Sequence, residues 1–196
     1  MNRPSCMPAS GPLALVALSL AASITGCGGD GPSDPCAGLL PGDLVISEVM
    51  ANPSGADDGR EWVEIHNPGS AELSLTGLEL VRSAEDGSGA RAHVLDTADL
   101  LAAGAYYVLG GVLDAARPSY VNYGYGDALG DFGNTSGRVV LRCGDRVIDE
   151  VVYLDSTDGA SRAYDGDLPP NATANDDTTR WCDSPATFST GDFGSP

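Results

Sequence analysis

The chain contains no lysine, and all ten of its basic residues are arginine. Against them stand 28 aspartates and glutamates, which gives a formal net charge of −18 at pH 7. Proteins bind nucleic acids largely through Lys and Arg groups that displace counterions from phosphates, and a strongly negative field repels polyanions. The composition therefore argues against a nucleic-acid partner, and the same charge favours solubility of a secreted protein.

Motifs for metal binding and catalysis are also missing. After residue 27, no two cysteines lie within the two to four residues that zinc sites use, and His66 and His93 are isolated in the sequence. The chain has no G-x-S-x-G, H-E-x-x-H or P-loop motif. We therefore expect no enzyme: no catalytic residue, no metal and no cofactor.

One apolar run is present, at 13–22, and it is too short to span a bilayer as a helix. Arg3 precedes it, and the motif Ile-Thr-Gly-Cys ending at Cys27 follows it. This arrangement resembles a bacterial lipoprotein signal, with an ordinary cleaved secretory signal as the alternative. We predict a signal peptide at 1–26, lipidation of Cys27, and a lipid-anchored protein of the bacterial cell envelope. Gly28, rather than Asp, after the cysteine favours the outer membrane or the cell surface.

The cysteines predict one disulfide and one free thiol. Cys6 leaves with the signal and Cys27 carries the lipid, so three cysteines remain in an oxidising compartment. Cys143 ends a predicted strand, whereas Cys182 lies in a polar segment that has little else to hold it against the predicted domain. We therefore predict a disulfide between Cys143 and Cys182, with Cys36 unpaired in a linker.

The segment 27–41 is rich in Gly, Pro and Asp and is predicted to be a flexible linker. From residue 43 onward, short β-type runs alternate with turn residues, which is typical of a sandwich or barrel. Only 97–103 offers a helical turn. The predicted strands are 43–50, 61–67, 77–82, 90–95, 105–109, 120–125, 138–143 and 146–154.

Two features qualify this all-β prediction. The turn at Gly144-Asp145 is typical of a two-residue hairpin, and the residues around it predict a bulge. The segment 156–196 is polar and is predicted to be irregular. However, a large indole next to a cysteine, as at Trp181 and Cys182, is not typical of a disordered segment. We therefore expect this segment to fold back on the sandwich.

Several motifs resemble the bacterial form of the lamin tail domain. They are LVISEVMANP at 44–53, EWVEIHN at 61–67 and LTGL at 75–78, followed by VID at 147–149, DGAS at 158–161, ANDD at 174–177, WC at 181–182 and GDFG at 191–194. The resemblance covers about 42–194, and the closing Ser195-Pro196 departs from the Thr-Pro expected there. It implies an immunoglobulin-like β-sandwich at 42–155. It also implies a cell-surface or secreted module of a kind sometimes found beside nucleases or other hydrolases, although a fold by itself assigns no function.

Acidic residues form the candidate sites. A general acid and base could be drawn from Glu48, Glu61 and Glu64. However, strand alternation places Glu61 and Glu64 on opposite faces, so a catalytic pair from that strand is not expected. The oxygen-rich loops at 57–59, 165–167 and 175–177 could hold calcium, although none completes an EF-hand. We interpret them as solvated turns.

The favoured function is a lipid-anchored envelope protein that displays the sandwich as a binding or scaffolding module. Its partners would be the membrane, through the lipid, and an unidentified protein or polysaccharide. The alternatives are a calcium-stabilised structural surface domain and an accessory domain of an extracellular hydrolase system. We expect recognition through the loops 52–60 and 127–137, assisted by tyrosines 106, 107, 120, 123 and 125.

Overall fold

A computed structural model describes residues 36, 38–55, 57 and 59–184. The predicted signal peptide and Cys27 lie outside these residues. The helices of the described part are three single turns of 3-10 helix, and none is long and apolar enough to cross a membrane. The strands are β1 (Val45–Met50), β2 (Trp62–His66), β3 (Leu73–Ser74), β4 (Glu79–Ser83), β5 (Arg91–Val94), β6 (Leu100–Leu101), β7 (Tyr106–Gly110), β8 (Tyr123–Gly124), β9 (Gly137–Cys143), β10 (Arg146–Tyr153), β11 (Arg162–Tyr164) and β12 (Trp181–Asp183).

Two sheets enclose one main core. The larger has the strand order β12-β11-β1-β2-β7-β8, the smaller has the order β10-β9-β4-β5, and β3 and β6 form a separate pair. Alternate residues of each strand point inward, so both sheets contribute to the same buried apolar cluster. This arrangement confirms the predicted all-β sandwich. The core includes Ile46, Val49, Val63, Ile65 and Leu109 from the larger sheet, and Leu80, Val139, Leu141, Val151 and Tyr153 from the smaller.

Each of the eight predicted strands overlaps a strand of the structure, although 120–125 is reduced to Tyr123–Gly124. The predicted helical turn at 97–103 is wrong. Leu100–Leu101 is instead a short strand paired with Leu73–Ser74. This extended pairing buries Leu101 in the core, and the Asn67 side-chain amide donates to the Leu101 carbonyl at 3.0 Å. Tertiary burial thus overrides a weak local preference.

The C-terminal segment also differs from expectation, because part of it is regular. Arg162–Tyr164 pairs with β1, and Trp181–Asp183 pairs with Arg162–Tyr164. Between these strands, the Asn175 amide donates to the Ile46 carbonyl at 3.1 Å and to the Asp149 carboxylate at 2.8 Å. The Trp181 indole in turn donates to the Asn175 carbonyl at 2.7 Å. A buried polar network therefore links this segment to both sheets.

The predicted disulfide is wrong. Cys143 bonds to Cys36, with their α-carbons 5.7 Å apart, and Cys182 is an exposed free thiol. Cys143 points into the core from the smaller sheet, whereas Cys182 lies in the edge strand of the larger sheet. Cys36 and Leu39 are themselves buried in the core. The predicted linker at 27–41 therefore includes residues that pack against the sandwich.

Bulges interrupt the ladders of both sheets. The register shifts between Ile46 and Glu48 in β1, and between Val147 and Asp149 in β10. The second shift follows the two-residue turn at 144–145 and confirms the predicted bulge. The bulges meet at Asp149, whose carboxylate accepts the Ile46 backbone N–H at 2.6 Å. Burial raises the pKa of Asp149 to about 7, against its hydrogen bonds from Ile46 and Asn175.

Candidate functional site

The outer face of the larger sheet carries two glutamates on neighbouring strands. Glu48 of β1 lies directly opposite Glu64 of β2. The same row continues through Ala163 to Cys182 on one side and to Val108 on the other. Because β-carbons of directly opposed residues lie about 5 Å apart, the two carboxyl groups repel each other when both are ionised.

The β1 bulge creates this arrangement. Ser47 is the extra residue of the bulge, and its hydroxyl donates to Glu64 Oε1 at 2.8 Å. The Ser161 hydroxyl donates to Glu48 Oε1. Glu48 and Glu64 are only 4% and 3% exposed, although both are charged residues on the outer face of a sheet.

Burial controls the ionisation of the pair. It raises the pKa of Glu48 to about 7, assisted by the charge of Glu64 and opposed by the hydrogen bond from Ser161. Burial also raises the pKa of Glu64, against the hydrogen bond from Ser47. The pair can therefore hold a proton near neutral pH, and it can accept a cation or a hydrogen-bond donor in its place.

A pocket of about 420 Å³ opens onto these carboxyl groups. Its lining mixes acidic, aromatic and aliphatic side chains, and no basic residue occurs among the described residues that form it. The loop that follows β11 contributes a large part of the lining. The lining residues are Ser47, Glu48, Glu64, Tyr106, Ala163, Tyr164, Asp165, Gly166, Asp167, Leu168, Pro170 and Cys182.

Glu61 lies in a different place from this pair. Its carboxylate accepts the Phe132 backbone N–H at 2.8 Å, and burial, opposed by that bond, raises the pKa of Glu61 to about 8. A cavity of about 30 Å³ beside it is also lined by Tyr125, whose buried hydroxyl has no hydrogen-bond partner among the described residues. That volume is sufficient to hold a water molecule. Glu61 and Glu64 thus point apart, as alternation predicted.

Sequence reasoning did not find the pairing of Glu48 with Glu64. Alternation within one strand gives the face of each side chain, but the partner depends on the register between two strands. A one-residue bulge reverses the facing of the residues beyond it. Glu48 and Ser47 both line the pocket for this reason.

The predicted recognition features are dispersed. Tyr106 is 48% exposed at the pocket and its ring lies 4.3 Å from that of His66, whereas Tyr107 and Tyr125 are buried in the core. A hydrogen bond of 2.9 Å joins His93 Nε2 to the Tyr123 hydroxyl. None of the described residues of the loops 52–60 and 127–137 lines the pocket.

The three candidate calcium loops have different surroundings. Asp57 accepts a hydrogen bond from Asn134, Asp165 and Asp167 line the pocket, and Asn175 belongs to the buried network with Asp149. Within the described residues, no three His, Cys, Asp or Glu side chains converge closely enough to hold a metal ion.

The comparison with protein families agrees with the resemblance noted in the sequence. A family model described as Lamin Tail Domain matches residues 40–155, which is more than half of the chain. No curated protein matches the chain at a significant level. The matched region contains ten of the twelve described strands, including both strands that carry the glutamate pair, and the family fold is an immunoglobulin-like sandwich. The chain therefore belongs to the lamin tail domain family.

Proposed function

We propose that this protein is a lipid-anchored component of the bacterial cell envelope and that its sandwich is a non-catalytic binding module. The observation that carries the binding role is the pocket over Glu48 and Glu64. Its volume of about 420 Å³ lies within the range of ligand sites, and its lining combines carboxyl groups with aromatic and aliphatic side chains.

The buried carboxyl pair supports a role beyond fold stability. Two like-charged groups in direct cross-strand contact destabilise a sheet, and each also loses hydration on burial. A sandwich needs neither group on its outer face to fold. An arrangement that costs stability without improving the core is typical of a binding site.

The proposal of a lipid anchor is supported by the sequence motif that ends at Cys27. The structure begins to describe the chain at Cys36, so eight residues separate the two positions, and the nine Cα–Cα steps between them could span at most about 30 Å. A single short tether of this kind would hold the module near the membrane surface.

We predict that Cys27→Ser abolishes lipidation, because the lipid is attached to that thiol. The variant should remain as an unprocessed precursor without acyl mass, as measured by intact-protein mass spectrometry of the membrane fraction. Cys182→Ser is the matched control and should be processed normally. Normal processing of Cys27→Ser would eliminate the lipoprotein assignment.

The binding role predicts a partner at the pocket. A photoreactive benzoylphenylalanine at position 106, in the full chain in cells, should give a discrete cross-linked adduct. The same group at Val147, which is 43% exposed on the smaller sheet, should give none. Equal cross-linking at the two positions, or none at 106, would argue against a binding site on this face.

A further inference from the structure

We infer that the pocket over Glu48 and Glu64 receives an arginine side chain of a protein partner. This inference rests on the binding role proposed above, because it names the ligand of the same pocket.

Each of the two glutamates keeps one carboxylate oxygen available to a ligand in the pocket. Ser161 and Ser47 each bond to Oε1 of one glutamate, and the second oxygen of each has no hydrogen-bond partner in the described part of the chain. Both side chains are more than nine-tenths buried and line the pocket. These second oxygens face the pocket, so a donor that enters it gains hydrogen bonds to acceptors that bond to no group of the described residues, together with charge neutralisation.

Charge selects a cationic donor. Asp165 and Asp167 add two carboxylates to the lining, and the described lining contains no basic residue. A cleft lined by one sign of charge focuses the field and concentrates ions of the opposite sign. The net charge of −18 acts in the same direction at longer range.

The geometry favours an organic cation over a metal ion. Calcium requires six to eight oxygen ligands, whereas no three acidic, His or Cys side chains converge among the described residues. The pocket is also much larger than an ion. A long side chain can fill such a volume with its stem while its charged end reaches buried groups.

The walls favour arginine in particular. Tyr106 is the most exposed aromatic ring of the lining, and Leu168 and Pro170 provide aliphatic surface. A guanidinium group stacks on aromatic rings and presents several N–H groups in one plane. It can therefore donate to the second oxygens of Glu48 and Glu64 at the same time, which a single ammonium point charge does less well.

The test uses the full chain, observed by ¹⁵N–¹H correlation spectra, with N-acetyl-L-argininamide as the probe. Residues around Glu48, Glu64 and Tyr106 should shift with a Kd on the order of 1 mM, since the probe is a single residue. N-acetyl-L-citrullinamide, a neutral molecule of nearly the same shape, should bind at least about tenfold more weakly because it lacks the charge. Calcium chloride should not reproduce the shifts.

Matched variants assign the effect to the pair. Glu48→Gln and Glu64→Gln should each weaken argininamide binding about tenfold or more, while the exposed Glu72→Gln should leave it unchanged. The exposed rim variant Tyr106→Ala cannot disturb the core and should also weaken binding. Equal binding of the citrulline probe, calcium-induced shifts of the same residues, or unchanged binding by Glu48→Gln would overturn the inference. If position 106 still cross-links a partner, the proposed binding role survives that result; if it does not, both fail.

Discussion

Replacing Cys143 with serine should lower the free energy of unfolding by about 4 to 5 kcal/mol. The bond between Cys36 and Cys143 closes a loop across a sequence separation of 107 residues, so its loss greatly increases the freedom of the unfolded chain. Both sulfur atoms belong to buried residues of the core, and in the variant one serine hydroxyl would be buried there in place of the Cys143 sulfur. Urea unfolding of the non-reduced protein measures the change.

Cys182→Ser is the matched control. This thiol is exposed and free, so its replacement should change stability by less than about 0.5 kcal/mol. Cys36→Ser should match Cys143→Ser, and the double variant should be far less destabilised than the sum of the two, because the same bond is lost in all three. Non-reducing peptide mapping that joins Cys143 to Cys182 would contradict the structure.

The free energy of unfolding should be greatest near pH 5 and should fall by several kcal/mol between pH 5 and pH 8. Burial raises the pKa values of Glu48 and Asp149 to about 7 and that of Glu61 to about 8. The folded protein keeps these protons at pH values where the unfolded chain has lost them. The stabilisation is therefore complete below about pH 4 and is lost as pH rises through 7 to 8.

The acid side of the profile has a different origin. A hydrogen bond from Thr157 and the neighbouring Arg162 lower the pKa of Asp183. Burial lowers the pKa values of His66 and His93, which must gain charge in acid. Both effects contribute stability that disappears as pH falls, so the maximum lies between the two regimes.

The variant Glu48→Gln isolates the contribution of Glu48 to the pH dependence of the free energy of unfolding. One pKa unit corresponds to about 1.4 kcal/mol, so a rise from 4.5 to about 7 makes the variant more stable than the parent by about 3 kcal/mol at pH 8, and equally stable at pH 4. The exposed Glu72→Gln should leave the pH profile unchanged. Urea midpoints at pH 4, 5, 6, 7 and 8 give the comparison, and a parent profile that is flat or rises above pH 5 would refute this account.

The strands were predictable from the sequence because their signal is local. Alternation within 61–67 correctly separated Glu61 from Glu64, and the turn at 144–145 correctly indicated a bulge. The strands of the polar C-terminal segment gave no such signal. Arg162–Tyr164 and Trp181–Asp183 have only three residues each, and they are ordered by pairing with distant β1 and with each other.

The candidate site was not predictable in the same way, because it depends on contacts between distant segments. Glu48 meets Glu64 only through the register set by the β1 bulge, and the loop at 165–170 reaches them from more than one hundred residues away. The disulfide was missed for a similar reason. Spacing in the sequence does not show that Cys36 packs in the core, nor that Cys143 and Cys182 belong to different sheets.

The outermost strands of both sheets determine whether crowded copies of this protein can pair with one another. In the larger sheet they are β12 and β8, which have three and two residues, and in the smaller sheet β5 carries Arg91 and His93 on only four residues. The longer β10 is bulged, and its Ile148 carbonyl already accepts the Gly42 N–H. Short, charged and bulged edges are poor templates for strand addition. Copies of this protein at high local concentration would therefore resist polymerising edge to edge.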